Sequence, residues 1–193
     1  IRVSGGVVSK NNETSFASKK NMQVVFQDPF GSFNPRHKVS KLISEPLFLD
    51  KKIMRKDDLN DLLINTLISV GLTADDKNKY IHEFSGGQRQ RIAIARALIV
   101  KPEIIIFDEA VSALDVSVRA QILDLLANLC KTLNLTYIFI SHDLSVVRTI
   151  TDRVMVMKNG EIVESGKTEN ILTNPTHNYT KKLIEAAPSL PTF

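Results

Sequence analysis

Apolar residues occur along this chain in short bursts separated by polar stretches rich in turn formers. Met22 to Phe26, MQVVF, is an apolar run stopped at Gln27-Asp28-Pro29, and it predicts a buried strand. The next stretch, QDPFGSFNPRHKV, is rich in Pro, Gly, Ser and Asn and predicts a loop. Two helical stretches follow. In the clearer one, DDLNDLLINTLISVG, Leu59, Leu62, Leu63, Leu67 and Val70 recur at helical spacing. Asp57 or Asp58 is the expected cap and Gly71 the expected terminator. HEFSGGQRQRIAIARAL then opens a basic, alanine-rich helix that Pro102 ends. Ile104 to Phe107 are four apolar residues in a row, the pattern of a strand covered on both faces. Residues 118 to 133 predict a helix with Ile122, Leu125 or Leu126, Leu129 and Leu133 on one stripe. TYIFI predicts a second buried strand. RVMVM and EIVE flank Lys158-Asn159-Gly160 and predict a hairpin with an Asn-Gly turn. A short helix is expected near Tyr179 to Ala186.

Alternation of strands and helices implies an α/β fold with a parallel sheet and covering helices. Ligands of such sheets collect at the carboxyl ends of the strands. Gln27, Asp108, Glu109 and His142 all fall at predicted strand ends, and this shared placement is the strongest organisational signal in the chain.

Composition narrows the partners only a little. The chain has 193 residues, enough for one α/β domain with an inserted subdomain. Its apolar fraction of 43% and charged fraction of 24% are ordinary for a globular protein. The net charge of +4 fits an anionic ligand or a membrane-proximal position, and so small an excess does not by itself indicate nucleic acid. Cys130 has no second cysteine to pair with. It lies beside Leu126, Leu129 and Leu133, so a buried, inert thiol compatible with a reducing cytoplasm is expected. No apolar run approaches the ~18 residues of a membrane helix. The polar start lacks the apolar centre of a signal peptide. A chain that begins at Ile1 rather than Met is expected to be cut at its N-terminus.

The candidate chemistry follows from residue types. Asp108-Glu109 is an acidic pair after an apolar strand, costly there unless a cation or proton shares it. Mg²⁺ prefers oxygen ligands and keeps its waters, and a neighbouring carboxylate can orient water for attack on a phosphoryl group. The bland alternative is a strand end with two solvated acids. His142 can donate a hydrogen bond to a phosphate oxygen, or be structural. Gln27 can touch a metal-bound water without adding charge, or be a turn residue before Asp28-Pro29. Ser85-Gly86-Gly87-Gln88 combines glycines that permit close approach with a helix N-terminus, where unpaired N–H donors favour an anion. Its bland alternative is a glycine turn capped by Ser85.

Taken together, FSGGQ, IIIFDE, SALD and SHD, in this order and spacing, resemble the nucleotide-binding subunits of ABC transporters, from Met22 nearly to the end. The resemblance implies a P-loop NTPase-like (RecA-like) sheet core with an inserted α-helical subdomain. Residues 1–28 and 102–175 would be the core, 29–101 the helical subdomain, and 176–193 the start of a C-terminal extension. It implies that Gln27 is the Q-loop glutamine, that Ser85, Gly86, Gly87 and Gln88 form the signature motif, and that Asp108 is the Walker B aspartate. Glu109 would be the catalytic base, Asp115 the end of the D-loop Ser112-Ala113-Leu114-Asp115, and His142 the switch histidine. ATP and Mg²⁺ are the implied cofactors, with Asp108 and Gln27 toward the metal.

VFQDPFGSFNPRHKV and NPTHNYTKKLIEAAPSLP are similar to the peptide/nickel importer branch, with Asn178 in place of a usual proline. Phe84 stands where Leu is usual, and Ala110-Val111 where Pro-Thr are. No G-x-x-x-x-G-K-[ST] loop is present, so the first strands and phosphate loop are expected to be absent. SGKT at 165 to 168 is a decoy, read as a turn capping a helix. The implied function is the ATP-hydrolysing subunit of an importer of oligopeptides or dipeptides. It would pair head to tail with a second ATPase, so that Ser85's helix holds the partner's γ-phosphate, and would sit on the cytoplasmic membrane face. Its partners would be permease subunits, received by the loop from Gln27 to His37, and indirectly a solute-binding protein. A soluble ABC ATPase acting on nucleic acid or ribosomes through Arg36, Lys38, Lys51, Lys52, Arg55 and Lys56 is the alternative class. An inactive fragment without Walker A is the third.

Overall fold

The structure, a computed structural model, describes residues 2–3, 6–7, 21–28, 31–49 and 55–187. It divides into two compact units, Ile1–Ile138 and Phe139–Phe193. In the first, β1 (Arg2–Val3) and β2 (Gly6–Val7) form a short antiparallel pair. The main sheet has the order β3-β4-β5, where β3 is Met22–Phe26, β4 is Ile104–Asp108 and β5 is Thr136–Ile140. β3 and β4 are parallel, with Met22 opposite Ile104 and Phe26 opposite Asp108. Glu103 joins the ends of this ladder: its N–H donates to the Asn21 carbonyl at 2.9 Å, and its carbonyl accepts from the Thr136 N–H at 2.9 Å.

Alternation along the strands decides what is covered. Val25, Ile105 and Phe107 share one face and are buried, and Tyr137 meets the Phe107 ring edge-on at 5.1 Å. On the other face Val24 is 42% exposed and Phe26 57%, and Ile104 and Ile106 are only half-buried. Ile138 is also exposed. The expectation of strands covered on both faces is therefore corrected. A continuous apolar run shows that a strand has no polar face, but not that both its faces are packed.

The helical part is α1 (Val39–Ser44), a 3₁₀ turn Glu45–Leu49, α2 (Lys56–Ser69) and α3 (Gly86–Leu98). Val39, Leu42, Ile43, Leu67, Ile92, Ile94 and Ala95 have no exposed surface and form its core. α2 starts at least two residues earlier than its capping signal implied. Arg55 occupies the N-cap without a side-chain cap bond, and Asp57 and Asp58 lie in the first turn, where the helix dipole favours them. Arg55 pairs with Asp58 at 3.0 Å, so one cation of the basic cluster is neutralised locally. Lys51 and Lys52 lie outside the described residues. Gly71 ends α2 as expected, at φ 74°, with Leu72 N–H donating to the Leu67 carbonyl.

α4 (Val116–Leu133) buries Ile122, Leu123, Leu126 and Leu129. Leu133, expected on that stripe, is half-exposed. Asn134 turns left-handed at φ 51° and the Leu135 N–H reaches back to the Cys130 carbonyl, which brings Leu135 into the core instead. Cys130 is half-buried rather than buried, and its Sγ donates to the Leu135 carbonyl at 3.0 Å.

In the second unit α5 (Leu144–Ile150) precedes a hairpin of β6 (Arg153–Lys158) and β7 (Glu161–Lys167), then α6 (Thr168–Thr173) and α7 (Asn178–Glu185). Asn159 and Gly160 both have positive φ, the turn that the Asn-Gly pair predicts. Ser165-Gly166-Lys167 is the end of β7 rather than a turn, and α6 starts at Thr168. Glu164 ties the C-terminal segment to the hairpin. Its carboxylate accepts from the Thr176 N–H and Oγ1, each at 2.7 Å, and from the His177 N–H at 3.2 Å. The Thr180 hydroxyl, first, and these donors hold its pKa down at about 2. A depressed folded-state pKa contributes stability that is complete above the ordinary value of 4.5 and is lost as pH falls toward about 2. Glu164→Gln is therefore expected to melt below the wild type at pH 7, with the gap closing on acidification. A gap independent of pH, measured by thermal melts, would exclude the carboxylate as the tie.

Candidate functional site

The register of the parallel pair places three candidate residues at one sheet edge. Phe26 is opposite Asp108, so Gln27 and Glu109 are the next residues along adjacent strands. Gln27 is exposed, while Asp108 and Glu109 are half-buried. Glu109 carries φ 53°, a left-handed conformation that non-glycine residues avoid. Its carbonyl accepts from the Ser112 N–H at 3.1 Å and from Ser112 Oγ at 2.8 Å. Ala110 and Val111, which follow, are buried. The turn is thus pinned on its far side, and the strain is held at the residue after Asp108. No local sequence signal announces that strain. The oxygen donors here, one carboxylate and one amide, suit Mg²⁺, which keeps several waters and takes few protein ligands. Among the described residues no group of three or more His, Cys, Asp and Glu is clustered to hold a metal.

The second subsite is the start of α3. Ser85 is the N-cap: its Oγ accepts from the Gln88 N–H at 3.4 Å, and Gln88 Oε1 accepts from the Ser85 N–H at 3.0 Å. This reciprocal box fixes the helix start. Ser85, Gly86 and Gln88 are exposed, and Gly87 is half-buried. The Gly86 and Gly87 N–H groups occupy the first two helical positions, which have no intrahelical acceptor. The two glycines differ. A Cβ on Gly86 would meet nothing within 4 Å, whereas one on Gly87 would lie 2.4 Å from Val118 Cγ1. Gly87 is thus small because α3 packs there on α4, and no packing among the described residues accounts for Gly86.

The arginines that make this helix basic turn inward to carbonyls. Arg89 Nε donates to the Ile81 carbonyl at 3.2 Å and Arg91 to the Val70 carbonyl at 2.7 Å. Arg96 pairs with Glu45 at 2.9 Å. They hold the helix against its neighbours and leave the backbone and Ser85 as the polar groups at its open start, a division that the sequence did not reveal.

Asp115 is the N-cap of α4. Its carboxylate accepts from the Val118 N–H and Ser117 Oγ, both at 2.9 Å, and these bonds, the Val118 one first, hold its pKa below the usual carboxylate range. Val118 is also the residue against Gly87, so the structure brings the starts of α3 and α4 together. His142 belongs to the second unit, exposed on the turn after β5. Asp143 beside it caps α5, accepting from the Ser145 N–H at 2.9 Å.

The ABC transporter family matches residues 1–112, and the C-terminal region of oligopeptide/dipeptide transporters matches residues 163–192. The dipeptide transport ATP-binding protein DppF of Haemophilus influenzae is 49% identical over 183 residues, which are 95% of this chain and 56% of that protein. The oligopeptide transport ATP-binding protein AmiF of Streptococcus pneumoniae is 48% identical over 93% of this chain and 58% of its own length. The chain thus spans little more than half the length of these relatives. Among solved structures, cbiO1 of Clostridium perfringens, part of an ABC transporter complex, superimposes with a TM-score of 0.79 at 26% identity, covering 89% of this chain and 66% of that one.

Proposed function

The chain belongs to the ABC transporter family, and from that premise we propose that it is the ATP-binding and ATP-hydrolysing part of an importer of oligopeptides or dipeptides. The observation that carries the reading is the β3–β4 register, which puts Gln27, Asp108 and Glu109 on one edge. In this reading Glu109 accepts a proton from the water that attacks the terminal phosphate, and Gln27 positions that water. His142 donates a hydrogen bond to a phosphate oxygen. Asp108, with Gln27, holds Mg²⁺, which when bound neutralises phosphate charge.

The start of α3 serves a nucleotide held by a second ATPase subunit. The Gly86 and Gly87 N–H groups and Ser85 Oγ supply its donors, each charge-assisted bond contributing about 1.5–3 kcal/mol. Two subunits therefore close when ATP lies between them and open after hydrolysis, and closure drives the permease. The match at residues 163–192 and the names of the two relatives support the peptide branch. Among the described residues no helix is long and apolar enough to cross a membrane, and in this reading the protein attaches to permease subunits at the cytoplasmic membrane face through the loop from Gln27 to His37.

The test joins this chain at Ile1 to a segment carrying a phosphate loop, and reconstitutes it with peptide permease subunits and binding protein in vesicles. The expected result is Mg²⁺-dependent ATP hydrolysis that rises when peptide-loaded binding protein is added. Stimulation by nucleic acid instead, with none by peptide, would replace transport by the soluble ATPase class.

A further inference from the structure

We propose that the second unit carries a binding cleft for a small phosphate-type oxyanion, built from Arg148, Arg153 and Lys167, residues to which the proposed nucleotide chemistry gives no part. The cleft has a volume of about 470 Å³ and is lined by these three cations together with Thr151, Asp152, Thr168 and Glu169. Three cations face two carboxylates, an excess of one positive charge.

The placement of two of those cations is the stronger observation. Arg153 and Lys167 are directly opposite each other at the first rung of the antiparallel β6–β7 ladder. Like charges directly opposite across a ladder are destabilising, because their side chains leave the backbone from Cβ atoms only about 5 Å apart. Both side chains are exposed, and neither has an ion-pair partner among the described residues. An anion between them removes the repulsion and turns it into two charge-assisted contacts.

The floor of the cleft is preformed. The Thr168 N–H donates to the Asp152 carbonyl at 3.0 Å, and Thr151 Oγ1 and Thr168 Oγ1 are 2.9 Å apart. Thr168 is 3% exposed, so these bonds lock the end of β7 to the start of β6 and hold the opposed cations in place. Arg148 approaches from α5, its guanidinium 3.4 Å from Glu169. That long contact leaves it able to turn to a bound oxyanion. The lysine of the SGKT decoy therefore has an anion-binding role of its own. It sits on a strand, and the site depends on side chains rather than on the six-residue helix that follows.

The experiment titrates inorganic phosphate into the 193-residue chain, the Lys167→Gln variant and the Lys167→Arg variant, following thermal stability. Sodium chloride at matched ionic strength is the control. In chloride at low ionic strength Lys167→Gln is expected to melt above the wild type, since it relieves the repulsion. In phosphate the wild type is expected to gain stability and overtake it. Apparent phosphate affinity should fall about tenfold in Lys167→Gln, equivalent to about 1.4 kcal/mol, and be retained in Lys167→Arg. Arg153→Gln repeats the test from the other strand if Lys167→Gln fails to fold. Equal responses of wild type and Gln variants to phosphate, or a chloride response as large as the phosphate one, would overturn the site.

Discussion

With Glu109 replaced by Gln, ATP hydrolysis is expected to fall by about 10²–10⁴-fold, while nucleotide binding and nucleotide-driven pairing persist. The size of the expected loss follows from what is removed. Gln fills the same space, and its backbone meets the same left-handed requirement at φ 53°, so the turn held by Ser112 is unchanged. What disappears is the proton acceptor and one negative charge beside Asp108. Losing a general base costs far more in turnover than in binding, because the base acts mainly as charge develops in the transition state. The measurement is single-turnover hydrolysis, with pairing followed by size-exclusion chromatography, in the chain carrying a phosphate loop. Turnover within a factor of a few of the wild type would remove Glu109 from the proposed role and leave its backbone strain without a use.

Exchanging the two signature glycines for alanine, one at a time, is expected to separate folding from nucleotide handling. Gly87→Ala places a methyl group 2.4 Å from Val118 Cγ1. Overpacking of that kind costs about 1–3 kcal/mol, which for a domain of this size lowers the melting temperature by several degrees. Val118→Ala in the same chain should restore much of it by making room. Gly86→Ala meets no atom within 4 Å, and its stability is expected to stay within about 0.5 kcal/mol of the wild type. The same methyl group projects toward the space where the proposed reading puts the partner's phosphate, so hydrolysis is expected to drop at least about tenfold. Calorimetry and ATPase assays on the two variants decide the matter. If Gly86→Ala unfolds the helix start, or leaves hydrolysis intact, the open side of α3 is not a phosphate subsite.

The two experiments address different parts of one arrangement. Gln27, Asp108 and Glu109 owe their nearness to a β ladder within the chain, whereas Ser85, Gly86 and Gln88 face outward from a helix whose arginines are engaged elsewhere. An edge that gathers acids and a helix start that presents bare N–H groups are complementary to different portions of a nucleotide, metal-bound phosphate for the first and free phosphate oxygens for the second.

Much of this was readable from local patterns. The extents of β3 and β5, the Asn159-Gly160 hairpin, the end of α2 at Gly71 and the capped start of α3 at Ser85 all follow from periods and turn residues, because they depend on neighbours within a few positions. So does the placement of Gln27, Asp108, Glu109 and His142 at strand ends. The sequence by itself thus determined which elements form and which polar residues terminate them. Only the tertiary structure decided which sheet face stays open at Val24 and Phe26, that Leu135 rather than Leu133 enters the core, and that Gly87 answers to Val118 while Gly86 answers to no atom of the described residues. It also decided that Arg153 faces Lys167. These outcomes turn on ladder register and on contacts between residues far apart in the chain, and a one-residue slip would reverse every one that lies on a strand.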